Sequence, residues 1–362
     1  MRFVQIEQQK ITFDQIALKD YQVRGDYHQK VLDFCHAWLN GQTTFTLHTS
    51  GSTGKPKPIT LQREQLLASI WMTDQALGLQ AMHNALVCIN TEYIGGKMML
   101  ARCLELGLNM YVVKPSSNPF QELPDNLTID FSALVPLQLQ QILEHPQSKY
   151  MLNSLQSVIV GGAPVSQQLQ KELQALNVLV YQTYGMTETV SHIALKALNG
   201  NSASTLYHTL DQVKISLDER NCLVIEAPST NFAKIITNDV VKLHSENSFE
   251  WIGRYDHVIN SGGVKIQLEE VERAVENLFA GEGYTANFLL GAVPDQALGE
   301  KLVLLMEDQP WPQKQQDQLT RQLRQKMDKY HMPKAIHFLE EFPKTASGKT
   351  DRTRAFQAIE QD

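Results

Sequence analysis

Short apolar runs alternate with longer amphipathic stretches over most of the chain, which is the rhythm of a sheet buried under helices on both faces. Residues 45–48, 85–89, 110–113, 157–160 and 178–181 each read as a buried strand ending near Gly, Pro, Asn or Thr. Helices are expected between them. Residues 63–77 and 166–176 carry apolar side chains at helical spacing, and Leu268, Val271, Ala274, Val275 and Leu278 recur at steps of three and four. A parallel sheet with covering helices is the simplest assembly. From about residue 207 to 252 the texture changes to closely spaced strand-like segments, among them 213–217 and 221–225, which predicts a small β subdomain. After Gly253-Arg254-Tyr255-Asp256 the chain has its own strand and helix signals and closes on a polar helix around 315–329. The expected class is therefore α/β. It comprises a large N-terminal domain, residues 1–255, with mixed and parallel sheets, covering helices and the β subdomain. A smaller mobile α+β domain follows, residues 256–362.

Composition acts mainly by exclusion. With 362 residues, 43% of them hydrophobic and 20% charged, the chain can bury two ordinary cores without disulfides or a structural metal. Against 39 Asp and Glu stand 32 Lys and Arg, a net charge of −7, so no nucleic acid partner and no anionic membrane surface are expected. Cys35, Cys88, Cys103 and Cys222 form no CxxC pair and lie in apolar runs, as buried thiols of a reducing compartment do. A cytoplasmic location follows. The opening residues alternate apolar with polar, and no stretch of 18 uncharged apolar residues occurs, so neither an export signal nor a membrane span is expected.

Chemistry concentrates in a few segments. Thr49-Ser50-Gly51-Ser52-Thr53-Gly54-Lys55-Pro56-Lys57 follows a predicted strand and offers hydroxyls, ammonium groups and pliant backbone N–H groups to one polyanion. It is not a Walker A loop, because Thr49 stands where the first glycine belongs and Pro56 where Ser or Thr belongs. Taken alone, such a loop is an ordinary solvated turn. In Tyr184-Gly185-Met186-Thr187-Glu188-Thr189 an aromatic ring, a hydroxyl and a carboxylate could serve a base, a phosphate and Mg²⁺; read in isolation it is equally a turn with a helix cap. Gly161-Gly162-Ala163-Pro164 allows close approach to a planar ligand, or is a plain strand-to-helix turn. Asp239 could accept both ribose hydroxyls and Arg254 could pair with ribose or phosphate. Ser261-Gly262-Gly263-Val264-Lys265-Ile266 reads as a hairpin, and Pro343-Lys344-Thr345-Ala346-Ser347-Gly348-Lys349 sets a lysine in a loop near the C-terminus.

Taken together and in this order, these segments resemble the acyl-adenylate-forming superfamily of acyl- and aryl-CoA synthetases, adenylation domains and luciferases. GAVPDQALGEKL at 291–302 and Val271-Glu272 are similar to the small domain of that superfamily. Within it, the short chain and the run from Tyr184 to His192 are most similar to ligases that activate o-succinylbenzoate for menaquinone synthesis. The resemblance implies ATP, Mg²⁺ and coenzyme A as cofactor and co-substrates and a small carboxylic acid as partner; a homodimer is expected only because bacterial-type enzymes of this size often pair. It implies that Thr49 to Lys57 grip the β- and γ-phosphates, Gly162, Ala163 and Tyr184 flank adenine beside Gly185, Thr187 touches the α-phosphate and Glu188 holds the metal. Asp239 and Arg254 would bind ribose, Asp256 would be a hinge, and Lys349 would bridge the acid and the α-phosphate. Rotation at Asp256 would bring Gly262, Gly263 and Lys265 toward the acyl-AMP. Tyr93, Lys97 and His192 are the candidates beside the acid, with Lys97 able to pair with a second carboxylate.

Two departures stand out. Pro58 and Asn238 replace glycines usual in the family. The phosphate loop also begins at Thr49, where relatives carry over a hundred preceding residues, so one side of the acid pocket is expected to be closed by the first 45 residues or by a partner subunit, or else left open to solvent. Three readings stay open: an o-succinylbenzoate–CoA ligase, another adenylate-former that loads CoA or a carrier protein, and a non-catalytic nucleotide-binding homologue.

Overall fold

A computed structural model describes residues 2–48, 58–344 and 350–359. The phosphate loop 49–57 and Lys349 lie outside the described residues. The chain begins with an antiparallel pair, β1 (Phe3–Ile6) and β2 (Gln9–Thr12), then α1 (Phe13–Leu18) and α2 (Asp26–Leu39). Thr12 and Gln15 cap each other at the start of α1, which fixes the turn out of β2.

Next, β3 (Thr44–His48) pairs antiparallel with β4 (Pro58–Gln62), from Thr44↔Gln62 to His48↔Pro58. This corrects the assignment of 45–48 to the parallel sheet. Phe45 is buried and Thr46 exposed, the alternation of a strand with one wet face, and the two strands form a separate sheet. There follow α3 (Arg63–Leu77), β5 (Asn84–Val87), α4 (Ile94–Leu106), β6 (Asn109–Val112), β7 (Phe131–Leu134), α5 (Pro136–Glu144), α6 (Pro146–Asn153), β8 (Ser157–Val160), α7 (Gln167–Leu173) and β9 (Leu179–Gly185).

Strands β9, β8, β7, β5, β6 and β1 lie side by side in that order, all parallel. All four residues of β7 and of β8 are buried, as expected for strands covered on both faces. Leu86, Phe120, Leu134, Ile142, Leu152, Val158 and Val180 share one apolar cluster with the helices above them. Chain order reverses at β5, which has β6 on one side and β7 on the other. In a parallel sheet that is where a crevice opens beyond the carboxyl ends of the strands.

β10 (His192–Ala197) turns back antiparallel on β9, and β11 (Tyr207–Thr209) pairs with β10. The expected β subdomain consists of β11, β12 (Lys214–Leu217), β13 (Cys222–Glu226), β14 (Ile235–Ser245) and β15 (Ser248–Arg254), and β15 is tied to β11 through Tyr207↔Phe249. Its strands thus extend the large sheet.

The chain divides into two compact units, one of residues 1–216, 224–236 and 243–250, the other of 217–223, 237–242 and 251–362. In the second, β16 (Val258–Ser261) and β17 (Val264–Gln267) form a hairpin leading to α8 (Leu268–Glu282). β18 (Asn287–Asp295) and β19 (Gly299–Glu307) make a long antiparallel ribbon, α9 (Gln313–Lys326) follows, and β20 (Ala335–Leu339) adds parallel to β19. Val271, Val275, Leu302, Leu304, Leu319 and Leu323 form the core under α8 and α9. α10 (Arg352–Ile359) closes the opposite face, where a side chain on Gly291 would run into the ring of Phe356.

Among the described residues no helix is long and apolar enough to cross a membrane. All four cysteines are free and buried.

Candidate active site

In the first unit three segments leave the carboxyl ends of parallel strands: 90–97 after β5, Gly161–Pro164 after β8, and the turn that ends β9. Strand β9 runs on to Gly185, so Tyr184 and Gly185 are strand residues and do not follow the strand as its apolar run suggested. The polar pair Gln182 and Thr183 hid this. Pairing with β10 keeps the backbone extended there, and the Thr183 hydroxyl donates to the Val160 carbonyl (3.2 Å). On Gly161 a Cβ would meet Thr183 Oγ1 at 2.5 Å, and Gly162 has φ 86°, so both glycines are required by local geometry.

Tyr184 is 9% exposed, with its ring edge-on to Phe249 (centroids 5.1 Å) and tilted against Tyr207 (5.7 Å). Gly185 faces the backbone of Ser191 and His192 so closely that no side chain fits, and the β9–β10 register shifts there. The turn Thr187–Thr189 is anchored by buried Thr189, whose hydroxyl accepts from Met186 N–H (3.0 Å) and lies 2.8 Å from the Ser191 carbonyl oxygen. Buried Val190 then takes φ 70°, ψ −52°, a conformation that costs a β-branched residue on the order of 1–3 kcal/mol. Thr187 is left half-buried and Glu188 exposed.

Beyond β5, Tyr93 precedes the first turn of α4, and Gly96 packs against the Asn90 carbonyl and Thr91 too tightly for any Cβ. Lys97 is half-buried, and burial lowers its pKa although Glu92 pulls the other way. Burial pushes the thiols of Cys88 and Cys103 up to about 12, so neither is a nucleophile at neutral pH.

Five residues along α4 beyond Lys97 lies a residue that the sequence reading passed over. Arg102 is 1% exposed; its guanidinium donates to Thr73 Oγ1 (3.4 Å) and reaches the Met99 sulfur (3.5 Å), and its Nε has no partner. No acidic side chain pairs with it among the described residues. Burial brings its pKa down to about 10. Thr73 also lies 3.1 Å from His192 Nε2, so His192 and Arg102 meet through one hydroxyl. Burial first, and then Arg102, lower the His192 pKa to about 3, and the imidazole is neutral. The available signal for Arg102 was a lone arginine inside Met98-Met99-Leu100-Ala101-Arg102-Cys103-Leu104.

In the second unit, buried Asp239 lies 3.8 Å from Arg254 Nη1, while Arg254 forks onto Asp256 (2.8 and 2.9 Å). That fork holds the Asp256 carboxyl below its ordinary pKa. Arg220, also unmarked by sequence, donates to Asp218 (2.8 Å), Asn238 (3.0 Å) and the Thr237 carbonyl (3.0 Å), and lies over the Tyr255 ring. Glu269, buried at the start of α8, takes hydrogen bonds from His257 (2.6 Å), Arg254 N–H (3.3 Å) and Gln267, and so ties down the segment from Gly253 to His257. Gly262 and Gly263, at φ 60° and 83°, make the two-residue turn between β16 and β17, with Lys265 exposed on β17. The segments flanking Lys349 are joined by a bridge between Lys344 and Thr350, and Arg352 pairs with Glu272 (2.7 Å).

Among the described residues no group of three or more His, Cys, Asp or Glu could hold a metal. Mg²⁺ bound mainly by substrate phosphates needs only one or two protein carboxylates, and exposed Glu188 fits that demand.

Residues 8–218 match the family model described as AMP-binding enzyme, and residues 275–349 match that of the AMP-binding enzyme C-terminal domain. The chain belongs to the AMP-binding enzyme family. The 2-succinylbenzoate–CoA ligase of Enterococcus faecalis is 29% identical over 343 residues, covering 85% of this chain and 68% of the relative. A solved acyl-CoA synthetase (AMP-forming)/AMP-acid ligase II-like protein from Dyadobacter fermentans is 44% identical, with 95% of this chain and 97% of that chain covered and a TM-score of 0.64. The o-succinylbenzoate coenzyme A synthetase of Bacillus subtilis, solved with ATP and magnesium, shares the fold at 20% identity and TM-score 0.70, with 86% of this chain and 69% of that chain covered. The chain thus spans about two thirds of the longer relatives and nearly all of the Dyadobacter protein.

Proposed function

We propose that this AMP-forming acid–CoA ligase activates an aromatic acid that carries a second carboxylate, of the 2-succinylbenzoate type. The observation that carries this reading is Arg102, a buried guanidinium without a carboxylate partner among the described residues. An uncompensated buried charge destabilises a fold by several kcal/mol, so a site that keeps one has a use for it. A carboxylate of the acid would pair with its unbonded Nε, with neutral His192 and Thr73 completing the polar end of the pocket. The names of the curated relatives support the same acid.

In this reading the reacting carboxylate attacks the α-phosphorus of ATP and pyrophosphate leaves. The CoA thiolate then attacks the acyl carbon and AMP leaves. Thr49 to Lys57 and Thr187 hold phosphates, Tyr184 and Gly162-Ala163 bound the adenine, and Asp239 with Arg254 takes the ribose. Lys349 supplies positive charge where two anions meet. Glu188 would hold Mg²⁺, which when bound would offset phosphate charge. Asp256 is the proposed hinge between domains, with Gly262-Gly263 leaving room for the pantetheine arm.

The test is acid-dependent pyrophosphate exchange and CoA consumption over a panel of aromatic mono- and dicarboxylic acids, on the wild type and on Arg102→Met. Succinylbenzoate-type acids should exceed monocarboxylates of equal size by about a hundredfold in kcat/KM, and the variant should erase most of that difference. Equal use of both acid classes by both proteins would defeat the reading.

A further inference from the structure

We infer that α2 forms one wall of the acid crevice and that the Tyr27 hydroxyl is a specificity contact to an oxygen of the bound acid. This rests on the reading of the crevice beyond β5 as the acid site. Helix α2 comes from the first forty residues and packs beside α4. Lys30 donates to Glu92 (2.5 Å), inside the loop that leaves β5, and Trp38 Nε1 donates to Glu105 near the other end of α4 (3.3 Å). The N-terminal helix is therefore attached along the element that bears Lys97 and Arg102.

Tyr27 stands on the first turn of α2. Its Oη is shielded from solvent and makes no hydrogen bond of full geometry. Buried Thr91 approaches it, and Cys88, the residue after β5, is also near. The hydroxyl therefore lies where the sheet order reverses and the crevice opens. A buried phenol without a full partner weakens the fold, and Phe would fill the same volume at no such cost. What distinguishes Tyr from Phe here is a donor available to a carbonyl or carboxylate oxygen that enters beside Thr91.

A functional hydroxyl and a structural one respond oppositely to Tyr27→Phe. The expected result is a fall of about tenfold in kcat/KM for the preferred acid, carried by KM, with the ATP KM unchanged and the thermal midpoint unchanged or raised. The acid's own stabilisation of the chain in a thermal-shift titration should weaken in parallel. Tyr27→Ala should in addition admit bulkier acids. An unchanged acid KM in Tyr27→Phe overturns the inference, whether or not the midpoint falls. If the wild type shows acid-dependent exchange and Tyr27→Phe shows the same acid KM, the inference alone fails. If no acid of the panel supports exchange by the wild type, the reading of the crevice fails and takes the inference with it.

Discussion

Arg102 and His192 show how burial changes the meaning of a side chain. A neutral His192 with its pKa near 3 binds fewer protons folded than unfolded below its ordinary value of 6.5. The unfolded state then binds more protons, so stability falls as pH drops from about 6.5 toward 3. At about pH 5 this one group removes roughly 2 kcal/mol, and urea unfolding of His192→Gln should lack that slope. Gly185 makes a steric prediction. A methyl group there meets the backbone of Ser191 and His192, so Gly185→Ala should lose about 2–4 kcal/mol in the same assay and distort the turn bearing Thr187 and Glu188. Nothing in Tyr184-Gly185 announced that glycine is required there; the cause is a neighbouring strand at a register shift.

At the scale of elements, periodicity found β5, β8 and α3, because a strand buried in the sheet and a helix with an apolar stripe repeat in sequence what they repeat in space; it passed over β7, which no expected strand covers. It misassigned 45–48, since pairing partners are a tertiary property, and it ended β9 early because hydrogen bonding to β10 outweighs the polarity of Gln182 and Thr183. The segment from Gly253 to His257 gives an element-level prediction. Burial raises the pKa of Glu269, but the hydrogen bonds from His257 and Gln267 outweigh it and hold the carboxyl below its ordinary value. Its contribution is thus present above its ordinary pKa of 4.5 and is lost as pH falls through its lower folded value. Glu269→Ala should cost about 2 kcal/mol and speed limited proteolysis between residues 253 and 257, with Glu269→Gln intermediate in both. Equal cleavage rates in all three proteins would show that Glu269 does not hold the segment.

For the whole molecule, the proposed division of labour predicts that Lys349→Ala abolishes most acid-dependent pyrophosphate exchange while thioester formation from supplied acyl-AMP persists within a fewfold. Equal loss in both half-reactions would defeat the two-state scheme. The sequence by itself determined the α/β class, the order of the glycine and hydroxyl-rich segments and the family they mark, because those signals are local: a run of neighbours carries each one. Only the tertiary structure decided which groups distant in the chain meet. Thr73 bonds to Arg102 across 29 positions and to His192 across 119, and Lys30 reaches Glu92 across 62. Hydrogen bonds and ion pairs act through space, so nothing in the spacing of those residues along the chain could announce them.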